Sequence, residues 1–104
     1  MLDFLLDSNI KQSTIDELQK NCSDSIQYSL NCNEYEIKKI ITYLKKIGIN
    51  CIDEILIDYY EFFLSSYEDF KNRFKKYKLE PLVELINADY NNVFSQFIEL
   101  DSNY

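Results

Sequence analysis

The sequence of 104 residues contains no histidine, no tryptophan, one glycine and one proline. Histidine is the most frequent general base and a common metal ligand, so its absence argues against most hydrolytic and metal-dependent chemistry. A single glycine excludes a glycine-rich phosphate loop. Turns between strands need the backbone geometry of glycine and proline, so their scarcity also argues against a β-meander. We therefore expect an all-α protein that is not an enzyme and binds no cofactor.

Long apolar runs and a basic N-terminus are missing as well. No stretch approaches the ~20 apolar residues of a membrane span, and residues 1–7 carry two acids and no base, unlike a secretory signal. The three cysteines, Cys22, Cys32 and Cys51, are odd in number and form no C-x-x-C pair. This favours free thiols over a disulfide framework or a metal site, although the sequence leaves room for one disulfide bond. We predict a cytoplasmic protein without a membrane partner.

What the chain does contain is mostly apolar and acidic. Hydrophobic residues make up 46% of it, which is too much for a disordered chain. Its 11 basic and 18 acidic residues give a net charge of −7. At this length, residues 1–104 are expected to form a single domain that buries roughly two-thirds of its unfolded surface.

The clearest predicted helix runs from Glu34 to Ile47. Its apolar residues recur at i, i+3, i+4, i+7 and i+10 and form one stripe, with the lysines off that stripe. Gly48 follows the last apolar residue, as expected after the C-terminus of a helix.

Three other segments begin alike, near residues 13, 50 and 80. Ser13 and Asn50 each precede an acidic residue by three positions, as an N-cap does, and Pro81 suits the first position of a helix. Apolar residues then coincide in the three segments: Ile15, Leu18 and Ile26; Ile52, Ile55 and Phe63; Leu82, Leu85 and Val93. A recurrence of 30 to 37 residues is typical of an α-solenoid, and an irregular helical bundle is the alternative. Residues 99–104 are predicted to be a frayed tail.

One of these repeats resembles a known family. The segment Leu44-Lys-Lys-Ile-Gly-Ile49 leads into the helix start near residue 50 and then into the apolar run Tyr60–Ser66. This order is similar to a repeat of the mitochondrial transcription termination factors (mTERF), in which a helix ends in Leu-Gly-Leu/Ile and a later apolar run closes on serine. Residues 23–29 are a weaker copy, and the resemblance covers residues 13–97. The proline that opens the run in the family is absent here, and the glycine occurs once.

The mTERF resemblance implies a curved stack of helix triplets used to bind nucleic acid. For this chain it implies a short right- or left-handed α-solenoid of two to three repeats. Family members that grip a duplex carry more repeats, and no family binding residue is transferred, because the contacts are not part of the repeat motif.

Two basic segments interrupt the acidic chain. Residues 38–46 carry four lysines, residues 71–78 carry five basic residues, and neither segment contains an acid. On equivalent helices their cations would form a row that a phosphate backbone recruits. The candidate phosphate-binding residues are Lys38, Lys39, Lys45, Lys46, Lys71, Arg73, Lys75 and Lys78. The alternative is that basic helices simply pack beside acidic ones and fix the register of the stack.

Nine tyrosines and seven phenylalanines exceed what a small core must hold. Four of them have helical spacing: Tyr67, Phe70, Phe74 and Tyr77. Of these, Phe74 and Tyr77 are expected in the core, and the alternative is that they stack on unpaired bases. Tyr59, Tyr60 and Phe62 lie too close along the chain for all of them to face inward from one helix, so they are candidate interface aromatics. The alternative is a thick aromatic core with tyrosine hydroxyls at its rim.

The acidity, the surplus of aromatic residues and the short length together predict a non-enzymatic binding module with a protein partner in a regulatory role. A basic protein, including one that itself binds DNA, suits an acidic surface. Nucleic-acid binding through residues 38–46 and 71–78 is the alternative, which the mTERF resemblance favours. The sequence leaves the partner's identity and the oligomeric state open.

Overall fold

The computed structural model describes residues 2–102, and this part of the chain consists of helices and their connections, with no β-strand. Two short 3-10 helices and six α-helices follow one another: Asp3–Ser8 (the first 3-10 helix), α1 Gln12–Asn21, α2 Asp24–Cys32, α3 Glu34–Ile47, α4 Ile52–Asp58, Tyr60–Leu64 (the second 3-10 helix), α5 Tyr67–Lys75 and α6 Leu79–Ser102. The prediction of an all-α protein is therefore confirmed for the described residues.

Helix α3 has the predicted bounds, and most of its apolar stripe is fully buried: Ile37, Ile40, Ile41 and Leu44. The helix ends in a Schellman motif, because the Gly48 N–H donates to the Lys45 carbonyl (3.2 Å) and the next N–H donates to the Leu44 carbonyl (3.0 Å). Gly48 has a φ of 97°, a left-handed conformation that L side chains rarely adopt, so the only glycine of the sequence stands where the backbone needs one.

Helices α1, α4 and α6 begin within two residues of the predicted starts near 13, 50 and 80, but the predicted caps are wrong. Ser13 lies inside α1, and Asn50 lies two positions before α4, where its N–H donates to Asn87 Oδ1 (2.9 Å). Pro81 occupies the third position of α6 rather than the first. It is tolerated there because the N–H groups of the first turn have no partner within the helix.

Side-chain caps are instead supplied by serines at two other helices. Ser23 Oγ accepts from the Ile26 N–H at the start of α2 (3.3 Å), and Ser66 Oγ accepts from the Asp69 N–H at the start of α5 (3.1 Å). Each serine has extended backbone dihedrals, as an N-cap residue requires. The chain therefore turns sharply into both helices.

The helices pack around one apolar core. Helix α3 contacts the first 3-10 helix on one side and α5 on the other. Helix α1 packs against α4, whose first turn approaches α6 through a hydrogen bond from Cys51 Sγ to the Ile86 carbonyl (3.7 Å). Helix α2 contacts the second 3-10 helix, where the Phe62 ring meets the Phe94 and Phe97 rings of α6 at 5.2 and 6.2 Å.

Tyr77, which was predicted to be in the core, is exposed, and so is Leu85 of the third recurring apolar segment. Leu85 is 53% exposed because α6 turns Leu82 and Ile86 toward the core. Ile86, four residues after Leu82, therefore occupies the buried position that Leu85, three residues after it, does not. Tyr77 is 42% exposed because α5 ends at Lys75, and the helical stripe ends with it.

The second 3-10 helix places two adjacent phenylalanines in the core. Phe62 is 4% exposed and Phe63 is 0% exposed. This short helix packs against α2, α3 and α4 and against aromatic rings of α6, which bury both phenylalanines while Glu61 and Leu64 stay exposed. The prediction that Phe62 is a surface aromatic is therefore wrong.

Helix α6 consists of two halves that meet at Asp89. The backbone of Asp89 is non-helical (φ −159°, ψ 83°), and its Oδ1 accepts from the Asn92 N–H (3.3 Å). The second half continues to Ser102, so residues 99–102, which were predicted to belong to a frayed tail, are helical. Residues 103 and 104 of that predicted tail lie outside the described residues.

Candidate functional site: a groove between α3 and α5

One wall of the groove is a polar line along α3. Tyr35, Lys39, Thr42 and Lys46 recur every three or four positions and therefore lie along one face of the helix. At the helical rise per residue, the line from Tyr35 to Lys46 is about 17 Å long.

The opposite wall comes from Tyr67 and Lys71, one turn apart on α5, and from Leu79 at the start of α6. The half-buried side chains of Tyr43 and Ile47 form the floor between the walls. The groove has a volume of about 840 Å³, and none of the described residues that line it is acidic. It is therefore an apolar depression with a cationic rim.

The floor is held by aromatic contacts that continue into the core. The Tyr43 ring meets the Tyr67 ring edge to face, with centroids 6.0 Å apart, and meets the buried Phe74 ring at 5.8 Å. Burial raises the pKa of Tyr43, so its hydroxyl is neutral at physiological pH. Lys71 Nζ lies 5.9 Å from the Tyr43 centroid and 5.5 Å from the Tyr67 centroid, so it forms cation–π contacts with both rings.

Two lysines at one end of the groove already have acidic neighbours. Lys38 Nζ lies 3.0 Å from Glu34 and 3.6 Å from Asp7, and its hydrogen bond with Glu34 raises the pKa of Lys38. Lys39 Nζ lies 3.7 Å from Glu36. These exposed ion pairs contribute little stability, so an incoming anion can compete for the lysines.

The other two lysines lack such neighbours. Within residues 2–102, Lys46 and Lys71 form no ion pair. Both line the groove, Lys46 from α3 and Lys71 from α5. They are therefore the cations of this site most available to a ligand.

The fold separates the eight predicted phosphate-binding residues into two sets. It brings four of them together in the groove: Lys38, Lys39, Lys46 and Lys71. The other four lie outside its lining: Lys45, Arg73, Lys75 and Lys78. Lys45 Nζ donates to the Ser8 carbonyl on the first 3-10 helix, on another side of α3. The two basic segments therefore meet, but with only four of their nine cations.

Arg73 is held by the protein itself. Its Nη2 donates to Asp101 Oδ2 (2.8 Å), and its guanidinium carbon lies 4.9 Å from the centroid of the buried Phe62 ring. Its Nε and Nη1 atoms are buried without a hydrogen-bond partner among the described residues. The single arginine thus joins α5 to the end of α6 rather than facing a ligand.

The predicted interface aromatics are used mainly for packing. The Tyr59 ring stacks on Phe94 (5.5 Å, 26°), and its hydroxyl lies 3.0 Å from Asn91 Oδ1. Tyr60 is half-buried against the core. The alternative interpretation, an aromatic core with hydroxyls at its rim, therefore describes this region better.

Sequence reasoning did not identify the apolar and aromatic lining of the groove: Tyr35, Tyr43, Ile47, Tyr67 and Leu79. Tyr43 and Ile47 are four residues apart and adjoin the lysine line, which is a local signal that was available. The contribution of α5 carried no such signal, because it depends on a contact between segments that are distant in the sequence.

Within residues 2–102, no group of three or more Cys, Asp or Glu side chains is arranged to hold a metal ion. The three cysteines are free, with Cys22 buried and Cys32 exposed. Burial raises the pKa of Cys22 and of Cys51, which disfavours the reactive thiolate. No helix in the described part is long and apolar enough to cross a membrane.

Comparison with known proteins found no match to a protein-family model, a curated protein or a solved structure. The resemblance to mTERF repeats therefore stays a prediction. The function has to be argued from the groove itself.

Proposed function

We propose that the protein is a non-enzymatic binding module with a regulatory role, and that it binds an acidic segment of a protein partner in the groove between α3 and α5. The observation that carries this proposal is the convergence of four lysines on a half-buried apolar floor in a protein of net charge −7. Rim cations attract carboxylates, and the floor favours burial of apolar side chains that accompany them.

The local charge of the groove changes the kind of partner expected. Net acidity predicted a basic partner, but within a Debye length of about 8 Å a ligand senses the nearest charges more strongly than the net charge. At the groove these are lysines. The proposal therefore keeps a protein partner and assigns the opposite sign of charge to its binding segment.

A nucleic acid suits the groove less well. Tyr43 and Tyr67 meet edge to face beneath Lys71, so their ring faces are not open for stacking on bases. The single arginine lies outside the groove.

Nucleic-acid binding is the second candidate, because one aromatic ring does suit it. Tyr35 is 71% exposed, and Lys39 Nζ lies 4.1 Å from its ring centroid. An exposed ring beside a cation is a common element of sites for single-stranded nucleic acid.

The proposal includes an architecture of three mTERF-like helical repeats. The helices form three successive triplets, which start at residues 3, 34 and 67 and so recur every 31 to 33 residues. In this grouping, α6 contributes its two halves as separate members. The first members, which are the first 3-10 helix, α3 and α5, contact one another in order. The third members, which are α2, the second 3-10 helix and the second half of α6, do the same. These contacts support a short stack in which the groove lies between the second and third repeats.

The test of this function is a set of fluorescence-anisotropy titrations with three labelled probes at about 50 mM salt and again at about 200 mM. The probes are a glutamate–leucine peptide of unpatterned sequence, its lysine–leucine counterpart, and an oligothymidylate of equal length. We expect the glutamate peptide to bind and the lysine peptide not to bind. Tighter binding of oligothymidylate would replace this proposal with the nucleic-acid alternative, and no binding of the glutamate peptide would refute it.

A matched pair of variants tests the location of the site. Lys46→Glu with Lys71→Glu reverses the two unpaired groove cations, while Lys75→Glu with Lys76→Glu makes the same change of charge on exposed residues outside the groove. We expect the groove variant to weaken binding of the glutamate peptide about tenfold or more and the control to weaken it less than about threefold. Equal weakening by both variants would show that binding follows net charge.

A further inference from the structure

The shape of the groove also indicates the conformation of its occupant. We infer that the partner's acidic segment binds as an amphipathic α-helix that lies along α3, with its carboxylates two helical turns apart. This inference rests on the proposed function and specifies the ligand of the same site.

The backbone of the groove walls favours a helical ligand. Both walls of the groove are α-helices, whose N–H and C=O groups are paired within each helix. An extended peptide finds no free strand edge there and would place its own unpaired backbone groups over the apolar floor. A helix pairs its backbone groups internally, so it avoids this cost.

The spacing of the cations along α3 also matches a helical ligand. Lys39 and Lys46 are seven residues apart on α3, which corresponds to about 10.5 Å along the helix axis. A helix packed alongside α3 presents side chains at i and i+7 with the same separation, because both helices share one rise per residue. Carboxylates at these two positions therefore reach both lysines at once.

The apolar floor adjoins those cations, because Tyr43 falls between Lys39 and Lys46 along α3 and Ile47 falls one residue beyond Lys46. Tyr43 and Ile47 follow Lys39 by four and eight residues and lie beside the lysine line. On the ligand helix, the residues at i+3 and i+4 fall between the two carboxylates and face this floor. The wall at Lys71 then receives a third carboxylate from the other flank of the same helix.

The expected ligand is thus a helix of about three turns, since the wall of α3 is about 17 Å long. It carries acids at i and i+7 and apolar residues at i+3 and i+4, a pattern that matches helix-in-groove recognition. An acidic peptide without this helical spacing, or phase, places its charged and apolar side chains on all sides of the helix. It therefore contacts only some of the lysines and only part of the apolar floor.

The test uses three labelled peptides of identical composition, each of about 18 residues. All three contain one proline, which is terminal in the first two peptides. The first peptide has glutamates and leucines at the stated helical spacing, and the second has the same residues in an order without that spacing. The third keeps the spacing but exchanges its central residue with the proline, which disrupts a helix there. We expect the phased peptide to bind at least about tenfold tighter than the other two. We also expect it to gain helical circular dichroism on binding.

Charge exchange supplies a second, independent measurement. A phased peptide with lysine in place of glutamate at i and i+7 should bind a Lys39→Glu, Lys46→Glu variant better than it binds the native protein. This rescue would not occur if the substitutions merely unfolded the groove, so it separates a lost contact from a lost fold.

The outcomes distinguish the inference from the function on which it rests. If the phased and permuted peptides bind equally and the groove variant weakens both, the acidic-segment function stands and the helical ligand is refuted. If none of the peptides binds, both are refuted. If the phased peptide binds best but gains no helicity, its conformation is not the one inferred, and the inference is overturned.

Discussion

Asn33 provides a direct test of how the second 3-10 helix is held in the fold. It lies between α2 and α3, and its Nδ2 donates to the carbonyls of Phe63 (2.7 Å) and Ser65 (3.1 Å), thirty or more residues away. Asn33→Ala removes both hydrogen bonds and leaves the two partly buried carbonyls without this donor. At about 0.5–1.5 kcal/mol per bond, we expect the free energy of unfolding to fall by about 2 kcal/mol.

Urea unfolding followed by far-UV circular dichroism measures this change. The m-value should stay constant, because the surface exposed on unfolding is nearly unchanged, and the melting temperature should fall by about 8–16 °C. The matched control is Asn31→Ala, an exposed residue of α2 that is two positions away. The control should be neutral or slightly stabilising, because alanine favours the helix.

A second substitution at the same position tests the direction of the hydrogen bonds. Asn33→Asp places a carboxylate opposite two carbonyl oxygens, so it should destabilise more than Asn33→Ala at neutral pH. When the pH is lowered, the carboxyl group binds a proton and regains one donor, so the difference between the two variants should shrink. An Asn33→Ala variant within about 0.5 kcal/mol of the native protein would refute the reasoning, as would an equal loss in the Asn31 control.

Three further predictions concern other parts of the molecule. Thr14 is 5% exposed, and its Oγ1 donates a hydrogen bond to Asp53 Oδ2 (2.7 Å). Thr14→Val should therefore lower the free energy of unfolding, measured in urea, by about 1.5–3 kcal/mol. An unchanged urea midpoint would show that this hydrogen bond does not stabilise the fold. The hydrogen bond to Asp58 raises the pKa of Tyr90 to about 12, whereas the pKa of tyrosine in the unfolded chain is about 10. Between these two pH values the native state binds more protons than the unfolded state, so the free energy of unfolding should fall as the pH rises through this range. Tyr90→Phe should lose less stability over the same range, and equal losses would exclude this hydrogen bond as the cause. In thiol labelling of the native protein, Cys32 should react first and the two more buried cysteines slowly, an order that peptide mapping after partial reaction would verify or overturn.

Several elements of the fold could be predicted because their signals are local. The bounds of α3 follow from apolar spacing and from Gly48, whose left-handed conformation completes the Schellman motif within the same few residues. The buried positions of Phe70 and Phe74 follow from their spacing on α5. Elements that depend on distant contacts could not be predicted this way: Phe62 and Phe63 are both buried because three other helices pack against a short 3-10 helix.

The candidate site shows the same division between local and tertiary information. The sequence alone determined that the chain is helical, that its helices are amphipathic, and that its cations are concentrated in residues 38–46 and 71–78. Which cations share a surface was decided by the tertiary structure. Successive residues of a helix point about 100° apart, so Lys45 and Lys46 face different neighbours, and only the packing of α5 beside α3 brings Lys46 and Lys71 to one groove.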